Sequence, residues 1–133
     1  DYMEQIKLAA REDGYIQTIF GRRVHISGFD SSNQAVRGFA ERQAINAPIQ
    51  GSAADIIKRA MIRLPSAMSE AGLSAEMLLQ VHDELIFEVD EEDAALAANL
   101  IKVVMESAAS PAIELSVPLV VEAGIASNWA LAH

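Results

Sequence analysis

The sequence predicts an α+β fold, an antiparallel sheet with helices packed on one face. Three observations carry that prediction. Two short runs rich in branched and aromatic residues, 77–81 and 85–89, flank a polar triplet and read as paired strands. A weaker alternation over 15–20 and 23–26 brackets Gly21-Arg22 and reads as a second hairpin. Apolar stripes at helical spacing lie around both, so the expected order is helix, hairpin, helix, helix, hairpin, helix, strand. No repeat or low-complexity segment interrupts it.

Residues 1–13 place Met3, Ile6, Leu8, Ala9 and Ala10 among charges, a helical pattern that stops at Gly14. Arg22 and Arg23 sit at the turn of the first hairpin, where paired arginines suit either phosphate contact or simple solvation. Gly, Ser and Asx content makes 27–33 a loop. Residues 34–47 then read as helix, with Val36, Phe39, Ala40, Ala44 and Ile45 on one side and Arg37, Glu41 and Arg42 on the other. Pro48 is expected to end or kink it, and Gly51-Ser52 to restart a second helix whose stripe is Ala53, Ile56, Ile57, Ala60, Met61 and Leu64. The opposite face, with Asp55, Lys58, Arg59 and Arg63, reads as a solvated flank carrying an Asp55–Arg59 i,i+4 pair.

After closure through Gly72 comes the second hairpin. Asp90 and Asp93 resemble an N-cap and its N3 partner, launching a helix to Ala108 that buries Ala97, Leu100, Ile101, Val104 and Ala108. Ser110-Pro111 stops it. A last strand is expected over 117–125, with Pro118 at its start where a missing N–H is tolerable, and Trp129 is expected to anchor the tail by burial.

The hairpin over 77–89, M-L-L-Q-V-H-D-E-L-I-F-E-V, is the most informative stretch. Asp-Glu is poor chemistry for a tight turn, because the primed turn types want Gly or Asn where φ is positive. Two adjacent carboxylates at a rigid tip suit Mg²⁺, which takes one or two of them beside waters and substrate phosphates. A solvated acidic turn without chemistry is the competing reading.

Composition narrows the classes. No apolar run approaches a membrane span, no segment resembles a signal peptide, and the absence of cysteine excludes disulfide and thiol chemistry while fitting a cytoplasmic setting. The net charge of −9 is unevenly divided. Residues 1–63 hold 9 Lys/Arg against 7 Asp/Glu (net +2), and residues 64–133 hold 1 against 12 (net −11). A phosphate-tracking surface therefore belongs to the first half, because the second repels DNA unless a divalent cation intervenes.

V-H-D-E, preceded by L-L-Q and followed by L-I-F-E-V, resembles the palm carboxylate motif of family A DNA polymerases, the bacterial polymerase I type. E-R-Q-A-I-N-A-P-I-Q-G-S-A-A-D-I-I-K-R-A-M-I-R-L, over 41–64, resembles the helix pair preceding that motif, and G-Y-I-Q-T-I-F-G-R-R, over 14–23, resembles the upstream hairpin. The blocks stand in family order, and with the similar sequence that continues to residue 133 the resemblance covers nearly the whole chain. The hairpin departs from the pattern, with Val24 and Ser27 where the family often has a third basic residue and a proline.

The resemblance implies part of a polymerase palm with the end of the fingers, residues 1–133 being the C-terminal part of a polymerase I type catalytic domain. It implies templated deoxynucleotidyl transfer, in which two Mg²⁺ ions about 3.5–4 Å apart serve the attacking and leaving oxygens. Asp83 corresponds to a catalytic metal ligand, and Glu84 to a catalytic carboxylate acting at longer range or through water. His82 and Gln50 correspond to minor-groove contacts, and Arg42 and Asn46 to residues lining the same groove. The implied partners are primer-template DNA, deoxynucleoside triphosphates and the rest of a parent chain, which would carry another metal-binding Asp and the nucleotide-binding fingers helix. The 133 residues alone are then expected to be inactive. A non-catalytic palm-like remnant or interaction module is the alternative.

Overall fold

The computed structural model describes residues 1–132, which divide into one unit over Asp1–Asp55 and a second beginning at Ile56. In the first unit α1 (Tyr2–Asp13) starts where the Asp1 carboxylate accepts from the Met3 amide. It ends at Gly14, whose φ of 77° is the left-handed cap that glycine adopts at least cost. β1 (Tyr15–Gln17) and β2 (Arg23–His25) pair antiparallel, with Ile16 opposite Val24. α2 (Gln34–Glu70) follows a loop whose Asn33 side chain accepts from the Ala35 amide. Ala10, Ile16, Ile26, Phe29, Ala40 and Ala44 form the core, with Ile6, Val24 and Ala47 packed against it. Alanine predominates on the helices here, which lets the small hairpin lie close to α2.

α2 is the principal departure from the expected pattern. Pro48 neither ends nor restarts a helix, and Pro65 likewise lies inside the continuous Gln34–Glu70. Each proline removes one intrahelical donor, a cost of about 3 kcal/mol in a helix interior that tertiary packing has to offset. At Pro65 the offset comes from the adjacent Leu64, which is fully buried, and from Met68 one turn on. Gly51 and Ser52 are therefore not restart residues but the places where the hairpin meets the helix.

The second unit holds β3 (Ala75–Val81) and β4 (Glu84–Val89), antiparallel with an irregularity between Met77 and Leu79. α3 (Ala94–Glu106) follows a single 3₁₀ turn over Glu91–Asp93. Ala60, Leu64, Met68 and Ala108 form the buried core, against which Leu85, Phe87, Leu100, Ile101 and Val104 pack. Leu85 and Phe87, two apart on β4, pack on that core whereas Leu79, paired with the intervening Ile86, is exposed, so the ladder is covered on one face as expected for α+β. Among the described residues the strands form two two-stranded ladders, β1–β2 and β3–β4, where one sheet was expected.

Four local expectations are corrected. Asp90 makes no side-chain cap bond, because the 3₁₀ turn over Glu91–Asp93 displaces the start of α3 to Ala94. α3 ends at Glu106, where Ser107 Oγ folds back to donate to the Val103 carbonyl at 2.8 Å. The 117–125 stretch forms no strand: it pairs with neither ladder, Val117 and Val120 are exposed, and the Val121 amide donates to the Glu106 carboxylate at 3.0 Å. Trp129 lies in a short 3₁₀ turn, Trp129–Leu131, and is exposed rather than buried. The flank of α2 is also less solvated than its sequence suggests. Arg59 Nε donates to the Ala108 carbonyl at 2.9 Å and Arg63 to the carbonyls of Ser107 and Ser110, so two cations hold the C-terminal end of α3 instead of facing water.

Candidate active site and nucleic-acid interface

Val81 pairs with Glu84, so the β3–β4 hairpin closes through only two residues, His82 and Asp83, and Glu84 is the first residue of β4 rather than part of the turn. Such a loop needs positive φ at its first central position or at both. His82 provides it, with φ 54°, in the left-handed region that His, like Asn and Asp, enters more readily than most residues. Gln80 Nε2 donates to the His82 carbonyl at 3.0 Å and fixes the loop from the strand side. His82, Asp83 and Glu84 are all exposed.

The donor set fits a hard cation, since carboxylate oxygens are what Mg²⁺ takes and one or two suffice when waters and phosphates complete the shell. Among the described residues no group of three His, Cys, Asp or Glu side chains is placed to hold a metal alone.

In the first unit Arg42, Asn46 and Gln50 recur every four residues along α2, on one helix face. They line a hollow of about 280 Å³ together with Phe39, Gln43 and Ala47, and its other wall is Val24, His25 and Ile26 from β2 and the residue after it. The structure therefore brings together the three α2 residues expected to line a groove. His82, Asp83 and Glu84 belong to the other unit. His25 is a lining residue that nothing in the sequence singles out, since only the docking of β2 beside α2 puts it there.

Arg22, open in the sequence to a phosphate or solvent role, is engaged within the protein instead. Its Nε donates to Asp55 Oδ1 at 2.7 Å and its Nη2 to the Gly51 carbonyl at 3.3 Å. Arg23 stacks on Tyr15, 4.5 Å from the ring centroid, and Tyr15 meets His25 edge-on at 5.9 Å.

The family model described as DNA polymerase family A matches residues 1–131. The chain belongs to the family A DNA polymerases. DNA polymerase I of Rhizobium leguminosarum is 57% identical over 135 residues, covering 100% of this chain and 13% of that protein. DNA polymerase I of Pseudomonas aeruginosa is 49% identical over 132 residues, covering 99% of this chain and 14% of that protein. A solved structure, the POL domain of Pol1 from M. smegmatis in complex with DNA primer-template and dNTP, superposes with a TM-score of 0.79 at 50% identity, over 90% of this chain and 20% of that one. This family A chain thus spans about one seventh of the curated relatives it matches.

Proposed function

We propose that this chain is the C-terminal part of a polymerase catalytic domain and works within a longer DNA-directed DNA polymerase. In that setting it contributes half of a two-Mg²⁺ site and part of the grip on primer-template DNA. The observation that carries the reading is the two-residue closure of the β3–β4 hairpin, which puts Asp83 in the loop at the end of that ladder, next to Glu84 at the start of β4.

Mg²⁺, when bound, stabilises charge on the attacking 3′-oxygen and on the leaving pyrophosphate. Asp83 would supply a carboxylate ligand to such an ion, with further ligands coming from elsewhere in the polymerase. Glu84, one residue into β4, acts from the second rank through water. His82 offers an imidazole beside them, able to donate to purine N3 or pyrimidine O2, acceptors that every base pair presents in the minor groove. Gln50 and Asn46 offer side-chain amides to the same acceptors, and Arg42 a guanidinium to the backbone. These groups sense base-pair shape without reading sequence. The hollow over Arg42, Asn46 and Gln50 and the likeness to a polymerase solved with primer-template and dNTP support this division of roles.

The test is templated incorporation by the full polymerase chain containing this segment, with Mg²⁺ and all four deoxynucleotides. Arg42→Ala is expected to weaken duplex affinity and lower its salt dependence by about one counterion. His82→Ala and Gln50→Ala are expected to slow extension of mismatched primer ends more than of matched ones. Unchanged affinity and unchanged mismatch extension across all three variants would reject the groove roles of Arg42, His82 and Gln50, and an Asp83→Asn variant at wild-type rate would return the chain to the non-catalytic alternative.

A further inference from the structure

Asn46 and Gln50 stand two residues on either side of Pro48. Proline has no amide hydrogen to give the carbonyl of residue 44, and its ring crowds that carbonyl, so α2 is intrinsically weak between the two groove residues. The direction of Gln50 relative to Asn46 and Arg42 therefore depends on what holds the helix across that point.

The β1–β2 hairpin holds it. Its turn is rigid in itself: Thr18 N donates to the Arg22 carbonyl at 2.9 Å, Gly21 N to the Thr18 carbonyl at 2.9 Å, and Thr18 Oγ1 accepts from the amides of Phe20 and Arg22. Four links join this turn to α2. Ser52 Oγ donates to the Pro48 carbonyl and accepts from the Ile19 amide at 3.0 Å. Arg22 reaches the Gly51 carbonyl and Asp55. Gly51 has no Cβ, and Thr18 Cγ2 occupies that space, 2.9 Å from where a Cβ would be. Asp55 is nine-tenths buried while Arg22 is about half exposed, so the pair is held from the carboxylate side, and losing Arg22 would leave a buried carboxylate without that partner.

We propose that Arg22, Ser52 and Asp55 are positioning residues that clamp α2 across Pro48 and so set the aim of Gln50 into the groove. The proposal rests on reading Gln50 as a groove contact. The same clamp fixes β2, and with it His25 on the opposite wall, so it sets the width of the hollow as well as the direction of one lining side chain.

A double-mutant cycle in the full polymerase tests this. Single-turnover extension of matched and mismatched primer termini is measured for Ser52→Ala, Arg22→Ala and Gln50→Ala, and for each clamp variant combined with Gln50→Ala. Each clamp variant should shift the matched-to-mismatched rate ratio in the same direction as Gln50→Ala, by about 2- to 10-fold, the range spanned by one hydrogen bond. On the Gln50→Ala background the further shift should be below about 2-fold. A merely structural role gives additive shifts, and that result would overturn the proposal. Ser52→Ala still decides between the two if Arg22→Ala, which strands a buried carboxylate, does not fold. A ratio unmoved by Gln50→Ala would reject the groove reading and the clamp with it, whereas an effect of Gln50→Ala not shared by Ser52→Ala rejects the clamp alone.

Discussion

Gly51→Ala offers a sharp test of how the hairpin meets α2. In an ordinary helix interior alanine is better than glycine by about 1 kcal/mol. At this position the added methyl falls 2.9 Å from Thr18 Cγ2, with Arg22 Nη2 at 3.4 Å and Val24 Cγ2 at 3.8 Å. Thr18 cannot simply turn away, because it is only 5% exposed and its Oγ1 accepts from two turn amides at 3.3 and 3.2 Å. Overpacking of this kind costs about 1–3 kcal/mol, so the clash outweighs the helix gain and the net loss is about 1 kcal/mol. Hydrogen–deuterium exchange over residues 18–22 should then show protection reduced about five-fold. Thr18→Ser removes the offending methyl and keeps the hydroxyl. On that background Gly51→Ala should be neutral or protective. Increased protection from Gly51→Ala in the wild-type background would refute the close-approach argument.

Three further outcomes are expected. Leu64→Ala empties a fully buried site between α2 and the β3–β4 ladder and should cost about 2–5 kcal/mol, read as lost exchange protection in α3 and β4 rather than in α1. His82→Gly suits the positive φ at least as well as histidine, so the hairpin should keep its protection while mismatch extension changes; loss of the hairpin would show that the imidazole serves the fold. Arg63→Ala removes donors to the Ser107 and Ser110 carbonyls and should speed exchange at the end of α3, with no change over residues 15–25.

Periodic elements were legible in the sequence. The helical stripes marked α1, both parts of α2 and α3, and the two hairpins fell where alternation and branched residues put them. Proline misled, because local chemistry says break at Pro48 and Pro65 whereas packing of Leu64 and Met68 and the bonds of Ser52 carry the helix through. The 117–125 stretch has strand composition, but a strand exists only when an edge accepts it, and composition does not report the edge. At the candidate site, Arg42 and Asn46 were legible as one helix face, but Gln50 was not, because a break expected at Pro48 separates it from them whereas α2 runs on unbroken. Arg22 and Asp55 were not legible either, since a residue 33 positions away in sequence becomes a partner only when the hairpin folds back. His25 was missed for the same reason.

The role proposed for Asp83 as a ligand of catalytic metal is tested by single-turnover incorporation with Asp83→Asn in the full polymerase. Asparagine keeps the shape of the two-residue loop and removes one charge. The expected outcome is a rate loss on the order of 10²–10³ that added Mg²⁺ restores only in part, a smaller loss for Glu84→Gln, and DNA affinity at fixed salt close to wild type. A wild-type rate for Asp83→Asn at ordinary Mg²⁺ would contradict it and leave the hairpin tip a solvated acidic turn.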